Sequence, residues 1–357
     1  MKSLLITGGS GFIGSHTCFV LLKAGYNLIV FDSLCNSSIE SLKRVSILAG
    51  LKEGLSSNRL QFIKGDIRNS SDLEKIFKTA IQEENPIYGV VHFAGVKSVS
   101  ESVAEPLKYW DINVNGSRVL LEVMEKYNCN LIVFSSSATI YGYPSEIPIT
   151  ESSEVNPINP YGNTKAVVEK MLLDLFSSRP GKWKIANLRY FNPVGAHPSG
   201  QIGEDPLDIP NNLFPYLTQV AMGRREKLKI YGNDWPTHDG TGVRDYIHVM
   251  DLAEGHCAAL DYLLNNKSQY LTLNIGTGRG VSVLEMIKTF EKVNQCIIPH
   301  VFVDRRPGDP PINIANNQLA ISKLGWSTKR SLDEMCRDGW KWQTLNPFGY
   351  SKNEKKL

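Results

Sequence analysis

Leu4-Leu5-Ile6-Thr7-Gly8-Gly9-Ser10-Gly11-Phe12-Ile13-Gly14 is a short apolar, partly β-branched run that breaks into closely spaced glycines. The run predicts a strand, the glycines a sharp turn, and residues 15–24 an amphipathic helix. In such a turn one glycine reverses the chain and a second lets backbone N–H groups approach a pyrophosphate. A third lets the helix pack closely on its strand, with the positive end of its dipole toward the phosphates. Glycines alone punctuate many ordinary turns, so the flanks matter. A second strand, residues 27–31, leads to Asp32, at the spacing of a carboxylate that binds a ribose. An acid there favours NAD over NADP, because it repels a 2′-phosphate.

Working outward, apolar strands alternate with amphipathic helices, the pattern of a parallel sheet covered on both faces. Strands are predicted at residues 3–7, 27–31, 60–64, 89–93, 131–135 and 185–190. Residues 39–49 have helical spacing, whereas 50–58 read as loop. From residue 191 the composition shifts to glycine, proline and asparagine, which predicts a second lobe rich in binding loops. The expected architecture is a doubly wound Rossmann-type α/β domain over residues 1–190, completed by segments around 240–275, with a smaller interleaved α/β substrate lobe over 191–357. Residues 351–357, rich in lysine, are expected to fray.

With 357 residues, 42% apolar and 21% charged, the chain can bury a substantial core. A net charge of +3 with interspersed signs gives no reason to expect a nucleic-acid partner. No run approaches the ~20 apolar residues of a membrane-spanning helix. The strand pattern starts at Ser3 with no apolar leader before it, and the six cysteines are scattered without a C-x-x-C pair. The expectation is a cytoplasmic protein without disulfides or a metal site.

Several later residues point to the same crevice. Gly65-Asp66-Ile67-Arg68 follows the third strand, where Asp66 either reaches an adenine or caps the helix beginning near Ser71. The fourth strand ends in Phe93-Ala94-Gly95-Val96-Lys97; Lys97 is either a surface charge or, at the carboxyl end of a strand, a cofactor contact. The fifth runs into Ser135-Ser136-Ser137-Ala138-Thr139. After it, Tyr161-Gly162-Asn163-Thr164-Lys165 opens a helix that places Tyr161 and Lys165 on one face. A phenol of ordinary pKa near ~10 is a poor base, but a neighbouring ammonium and a positive nicotinamide both favour its phenolate. Such a tyrosine can take a proton from a sugar hydroxyl while hydride leaves the same carbon. Ser137 would hydrogen-bond the same oxygen.

Gly8-x-x-Gly11-x-x-Gly14 with Tyr161-x-x-x-Lys165 resembles the extended short-chain dehydrogenase/reductases. Sugar-nucleotide 4,6-dehydratases and related decarboxylases carry an acid just after the catalytic Ser or Thr, and this chain has Ala138 and Thr139. It is therefore similar to the UDP-glucose/UDP-galactose 4-epimerases. Further motifs extend that resemblance: Arg189-Tyr190-Phe191-Asn192-Pro193-Val194-Gly195-Ala196-His197, Ile209-Pro210-Asn211-Asn212-Leu213 and Gly242-Val243-Arg244-Asp245-Tyr246-Ile247-His248.

The resemblance implies an isomerase that oxidises C4 of a UDP-hexose with tightly bound NAD and reduces the 4-keto sugar from its other face. It implies Ser137, Tyr161 and Lys165 as catalytic. It implies a cofactor site built from Gly8, Gly11, Phe12, Ile13, Gly14, Asp32, Asn36, Ser37, Asp66 and Ile67, continued by Phe93, Ala94, Gly95, Lys97, Ser135, Tyr161, Lys165 and Tyr190. For the UDP-sugar it implies Ser137, Phe191, Asn192, Asn212, Leu213, Lys229, Tyr231, Arg244, Arg306, Asp309 and Asn313. Arginine suits the phosphates through its fork of donors. Such enzymes are mostly homodimers pairing helices, which the apolar positions around 119–124 and 167–175 permit.

Two positions depart from the pattern. Ile112 replaces the first of two successive asparagines, leaving Asn113. Asn313 occupies a gate position near the sugar, where a bulky tyrosine goes with rejection of N-acetylated sugars, so turnover of UDP-N-acetylglucosamine is expected as well. The competing readings are a 4-epimerase or net oxidoreductase for another nucleotide sugar, and a non-catalytic NAD-binding sensor. Retention of Ser137, Tyr161 and Lys165 together argues against the sensor.

Overall fold

The computed structural model describes residues 2–207, 209–306 and 308–351. Seven strands run parallel: β1 (Ser3–Thr7), β2 (Asn27–Asp32), β3 (Leu60–Lys64), β4 (Ile87–His92), β5 (Leu131–Ser137), β6 (Lys184–Tyr190) and β7 (Gln269–Ile275). Their spatial order is β7-β6-β5-β4-β1-β2-β3, with Ser56–Ser57 added antiparallel at the β3 edge. The chain builds outward from β1 through β2 to β3, then returns to β4 on the other side of β1. That reversal opens a crevice at the carboxyl ends of β1 and β4, where open α/β sheets bind ligands. Thr7 pairs with Phe31 on one side and His92 on the other, so the three strand ends lie level beneath the glycine turn.

Every residue of β1 is buried, as expected for a strand covered on both faces. Alternation sends Leu4 and Ile6 to a layer with Cys18, Leu21, Leu252 and Leu260, and Leu5 to the opposite layer with Phe77, Leu120 and Leu172. The first layer joins helix Phe12–Lys23 to helix Val249–Asn265, which arrives from far along the chain.

Several elements differ from the sequence expectations. The first helix starts at Phe12 rather than residue 15, because Gly11 is its N-cap. β5 continues to Ser137, carrying the serine run inside the sheet. The segment 50–58 is not all loop, since Ser56–Ser57 pairs with β3. β7, absent from the predicted strands, joins the sheet along the full length of β6. Its first four residues are only half-buried, which weakens the apolar signal.

After residue 191 the second lobe is more regular than its composition predicts. Helices Leu213–Ala221, Val283–Asn294 and Leu332–Leu345 enclose a core of Phe214, Leu217, Met286, Phe290 and Met335. Asn192–Val194 pairs with Tyr246–His248, and Val243–Arg244 lies between Val281–Ser282 and Ile312–Asn313. This pairing sets Arg244 opposite Asn313. Among the described residues no helix is long and apolar enough to cross a membrane. Of the tail expected to fray, residues 352–357 lie outside the described residues.

Candidate active site

The glycine turn is shaped by contacts that a side chain would break. Gly8 has φ +71°, and a Cβ there would stand 2.5 Å from the Ala94 nitrogen. A Cβ on Gly14 would stand 2.4 Å from the Gly8 carbonyl oxygen, so that glycine sets how closely helix and turn pack. Gly11 is different: its Cβ would meet only the Gly8 oxygen, at 3.4 Å. As N-cap it supplies no side chain to the first turn of the helix, whose N–H groups stay open to an anion. Phe12 packs edge-on to His16, and Ile13 packs against the core.

Asp32 ends β2 beside this turn. It accepts from the Ser10 N–H at 2.9 Å, the Leu34 N–H at 2.9 Å and the Ser37 hydroxyl at 3.0 Å. Oδ1 takes two of these bonds and Oδ2 one, so Oδ2 keeps acceptor capacity for a ribose hydroxyl. Asn36 lies exposed on the same loop. These features fit a dinucleotide: an open helix terminus for pyrophosphate and a fixed carboxylate for the ribose.

Asp66 does not cap the next helix. Asn69 does so, accepting from Ser71 and Asp72, while Asp66 receives both the N–H and the guanidinium of Arg68. That arginine holds the Asp66 carboxyl below its ordinary range. Ile67 packs over Gly116. Lys97 reaches across to Glu204 of the second lobe at 2.9 Å.

At the end of β5, Ser137, Tyr161 and Lys165 are all buried, at 6, 4 and 6% exposure. Asn159 caps the helix Pro160–Ser178 through the Gly162 N–H, which fixes its first turn and therefore Tyr161. Ser137 Oγ accepts from the Thr139 N–H at 3.2 Å and hydroxyl at 2.9 Å, so its own proton is free to turn elsewhere. Burial holds the Tyr161 hydroxyl well above its ordinary pKa; neighbouring Tyr190 adds to this, whereas Ser137 and the charge of Lys97 act against it.

Lys165 faces both Tyr161 and the end of β5. Its ammonium donates to the Ser135 carbonyl at 2.8 Å and sits over the Phe134 ring at 4.8 Å, with the Tyr161 ring centroid 6.0 Å away. The charge of Lys97, in the loop after β4, also acts to lower the Tyr161 hydroxyl. Burial pushes Lys165 itself down to about 8, against the pull of Glu169.

The second lobe brings Arg244 to 3.8 Å from Asp309. The Arg306 guanidinium lies 4.3 Å from the centroid of the Tyr231 ring, so a flat base cannot share that face with it. Asn212 occupies the N-cap of helix Leu213–Ala221 but makes no capping bond, which leaves its amide unspent. Asn192 is held by its backbone N–H on the Asp245 carbonyl at 2.9 Å, and Phe191 packs beneath Ala138 and Tyr141. Lys229 is exposed on strand Leu228–Tyr231. Asn313 Oδ1 is buried without a hydrogen-bond partner.

Comparison with known proteins narrows the chemistry this arrangement serves. A family model described as GDP-mannose 4,6 dehydratase matches residues 5–339. The chain is 52% identical to "UDP-glucose 4-epimerase 2" of Arabidopsis thaliana over 99% of its length and 98% of that relative. The chain belongs to the UDP-glucose 4-epimerase family. The solved UDP-glucose 4-epimerase of Bifidobacterium longum, in complex with NAD+ and UDP, superposes with a TM-score of 0.90 at 45% identity, over 98% of this chain and 100% of that one. The Stenotrophomonas maltophila enzyme, with NAD and formylated UDP-arabinopyranose, gives a TM-score of 0.91 at 44% identity, over 97% and 99%.

Ala138, buried beside Ser137, offers no carboxylate to such a dehydration. Ile112 packs with Val96, Tyr109 and Tyr161 instead of offering an amide. Asn113 is spent internally: its side chain brackets Val96 through N–H and carbonyl at 2.9 and 3.1 Å and donates to Thr164 at 3.0 Å. Sequence reading missed His256, which meets the Ser135 hydroxyl at 3.3 Å and packs on Phe93. It also missed Glu169, although the signal was present, four residues after Lys165 on the same helix face; nothing local distinguished His256, and Glu204 lies in the Gly203-Glu204-Asp205-Pro206 motif, to which no role was given.

Proposed function

We propose that the protein is a UDP-glucose 4-epimerase, interconverting UDP-galactose and UDP-glucose with bound NAD. The observation that carries the reading is the buried Tyr161 with Ser137 at the end of β5, beside a helix terminus left open at Gly11. Purified protein given UDP-galactose and no added NAD should form UDP-glucose without accumulating NADH. Net NADH formation would instead indicate an oxidoreductase, and no reaction a different nucleotide sugar.

NAD, when bound, would supply reversible hydride transfer at the sugar C4. Tyr161 takes the 4-hydroxyl proton and later returns one, with the Ser137 hydroxyl steadying the same oxygen. Lys97 supplies positive charge toward the Tyr161 oxygen. Lys165 holds the β5 end through the Ser135 carbonyl and fixes the helix that carries Tyr161. Gly8, Gly11, Gly14 and Asp32 would hold the cofactor, with Asp66, Phe93 and Tyr190 lining it. Arg244, Arg306, Asn192 and Asn212 would grip UDP, and Tyr231 would meet the uracil once Arg306 turns from its face to the phosphates. The hexose is left loosely held, as a sugar that must turn over requires.

The reading includes UDP-N-acetylhexosamines. It is supported by Asn313, whose buried, unpartnered oxygen can accept from an acetamido N–H. UDP-N-acetylglucosamine should therefore turn over, and Asn313→Tyr should abolish that activity while UDP-galactose still reacts. No turnover of the N-acetyl sugar by the wild type, beside normal UDP-galactose turnover, would remove this part.

A homodimer is also proposed, through part of the expected surface and the helices beside it. Positions 119–124 are largely buried within the monomer core. Exposed apolar side chains lie at Leu173 (38%), within the expected 167–175, and at Val103 (65%) and Leu107 (81%), on helices that pack together. Sedimentation should give a dimer mass that Leu107→Asp weakens; a monomer at micromolar concentration would refute it. Six free cysteines, four of them buried, suit the cytoplasm.

A further inference from the structure

Behind the serine run of β5 lies a buried ion pair with no part in the chemistry above. Glu169 and Arg189 are each 7% exposed and meet at 2.6 Å, with the Arg189 Nε–H shared between both carboxylate oxygens at 3.0 and 3.2 Å. The Ser136 hydroxyl donates to Glu169 at 2.5 Å. Arg189 also donates to the Tyr141 hydroxyl at 3.0 Å and the Glu151 carbonyl at 3.1 Å, and Tyr141 donates to Asn274 at 2.7 Å. Burying two charges gains little stability over apolar packing, so the location of this pair is more informative than its energy.

That location is the back of the catalytic constellation. Ser136 sits between Ser135, whose carbonyl binds Lys165, and Ser137. Glu169 follows Lys165 by one helical turn and Tyr161 by two, on the same face of helix Pro160–Ser178. One carboxylate thus ties the strand end to the helix that supplies the other two groups.

The remaining neighbours of Lys165 do not supply a negative charge. His92 on β4 is kept neutral, pushed by burial and then by Lys165 down to about 3. His256, across Ser135 on helix Val249–Asn265, is pushed by burial down to about 4. Tyr161 and Tyr190 are both held in the phenol form by burial, and Arg189 on β6 is positive. Glu169 is the group that opposes the burial of the ammonium.

We propose that Glu169 is a positioning residue of this reaction: clamped by Arg189 and Ser136, it fixes the turn carrying Lys165 against the β5 end. The inference rests on the epimerase reading for its kinetic consequence but not for its structural one. Removing the carboxylate lowers the pH at which Lys165 loses its proton, so the alkaline limb of turnover moves to lower pH.

The test compares wild type, Glu169→Gln and Glu169→Gln/Arg189→Met, the last removing both charges so that no unpaired arginine is buried. Turnover of UDP-galactose is measured from pH 6 to 9, and Lys165 is titrated directly by NMR of 13Cε-lysine protein, assigned by its loss in Lys165→Met. For a midpoint lowered by about one unit, the variant-to-wild-type rate ratio should fall roughly tenfold between the ends of that range. A folded variant whose alkaline limb and lysine titration coincide with the wild type overturns the proposal, whatever its absolute rate. If the single variant does not fold, the double variant decides by the same two measurements. Absence of wild-type turnover would refute the epimerase reading alone, because the lysine titration still decides the role of Glu169.

Discussion

Tyr161→Phe is expected to lower turnover of UDP-galactose by about 10²–10⁴-fold, the range that a positioned general acid–base supplies. The substitution removes one oxygen from a ring packed against Val96, Tyr109 and Ile112, so the fold and the ring position are retained. Ser137 keeps its bonds from Thr139, and Lys165 keeps its bond to Ser135. NAD and UDP should therefore still bind, which separates loss of chemistry from loss of the site. The pH dependence carries a further sign. Burial holds the Tyr161 hydroxyl well above its ordinary pKa, so in the wild type the proton-accepting form, and with it the rate, gains as pH rises until Lys165 begins to lose its proton. The variant has no such group and should lose that acid limb. Near-normal turnover in Tyr161→Phe, with protein and cofactor intact, would sink the mechanism.

The parallel sheet was legible because its strands are nearly continuous apolar runs and its first turn is glycine-rich. β7 escaped because its leading half is only half-buried and it enters after a long excursion through the other lobe. Two helices of that lobe were legible by a signal passed over. Ser282 with Glu285 and Ser331 with Glu334 are Ser-x-x-Glu capping boxes, and both form, opening Val283–Asn294 and Leu332–Leu345. Composition alone misread the region as loops. In the site, local motifs located Ser137, Tyr161 and Lys165, because strand end and helix start are each short stretches. What they could not give is direction. Lys165 and Tyr161 share a face, yet the lysine donates to the Ser135 carbonyl, and the charge of Lys97, distant in sequence, also acts on Tyr161.

The glycine turn makes the last expectation a contrast between two alanines. At Gly8 the backbone is left-handed, which costs an L-residue about 1–2 kcal/mol. The new Cβ would also overlap the Ala94 backbone at 2.5 Å, where no flexible side chain can move aside, adding about 1–3 kcal/mol of overpacking. Gly8→Ala should thus lower the melting temperature, push the turn off the β4 end and yield protein purified without NAD. At Gly11 φ is −73° and the nearest protein atom to the new Cβ is 3.4 Å away. The added methyl there meets little protein but stands where a pyrophosphate approaches the helix terminus. Gly11→Ala should keep its melting temperature in the cofactor-free form and still lose bound NAD, since an epimerase returns its hydride and has no step at which the cofactor must leave. Bound nucleotide released by denaturation measures the second effect, and calorimetry of the cofactor-free proteins the first. Gly11→Ala that retains NAD like the wild type would show that no phosphate reaches this terminus. Gly8→Ala as stable as the wild type would show that the turn yields where its contacts say it cannot.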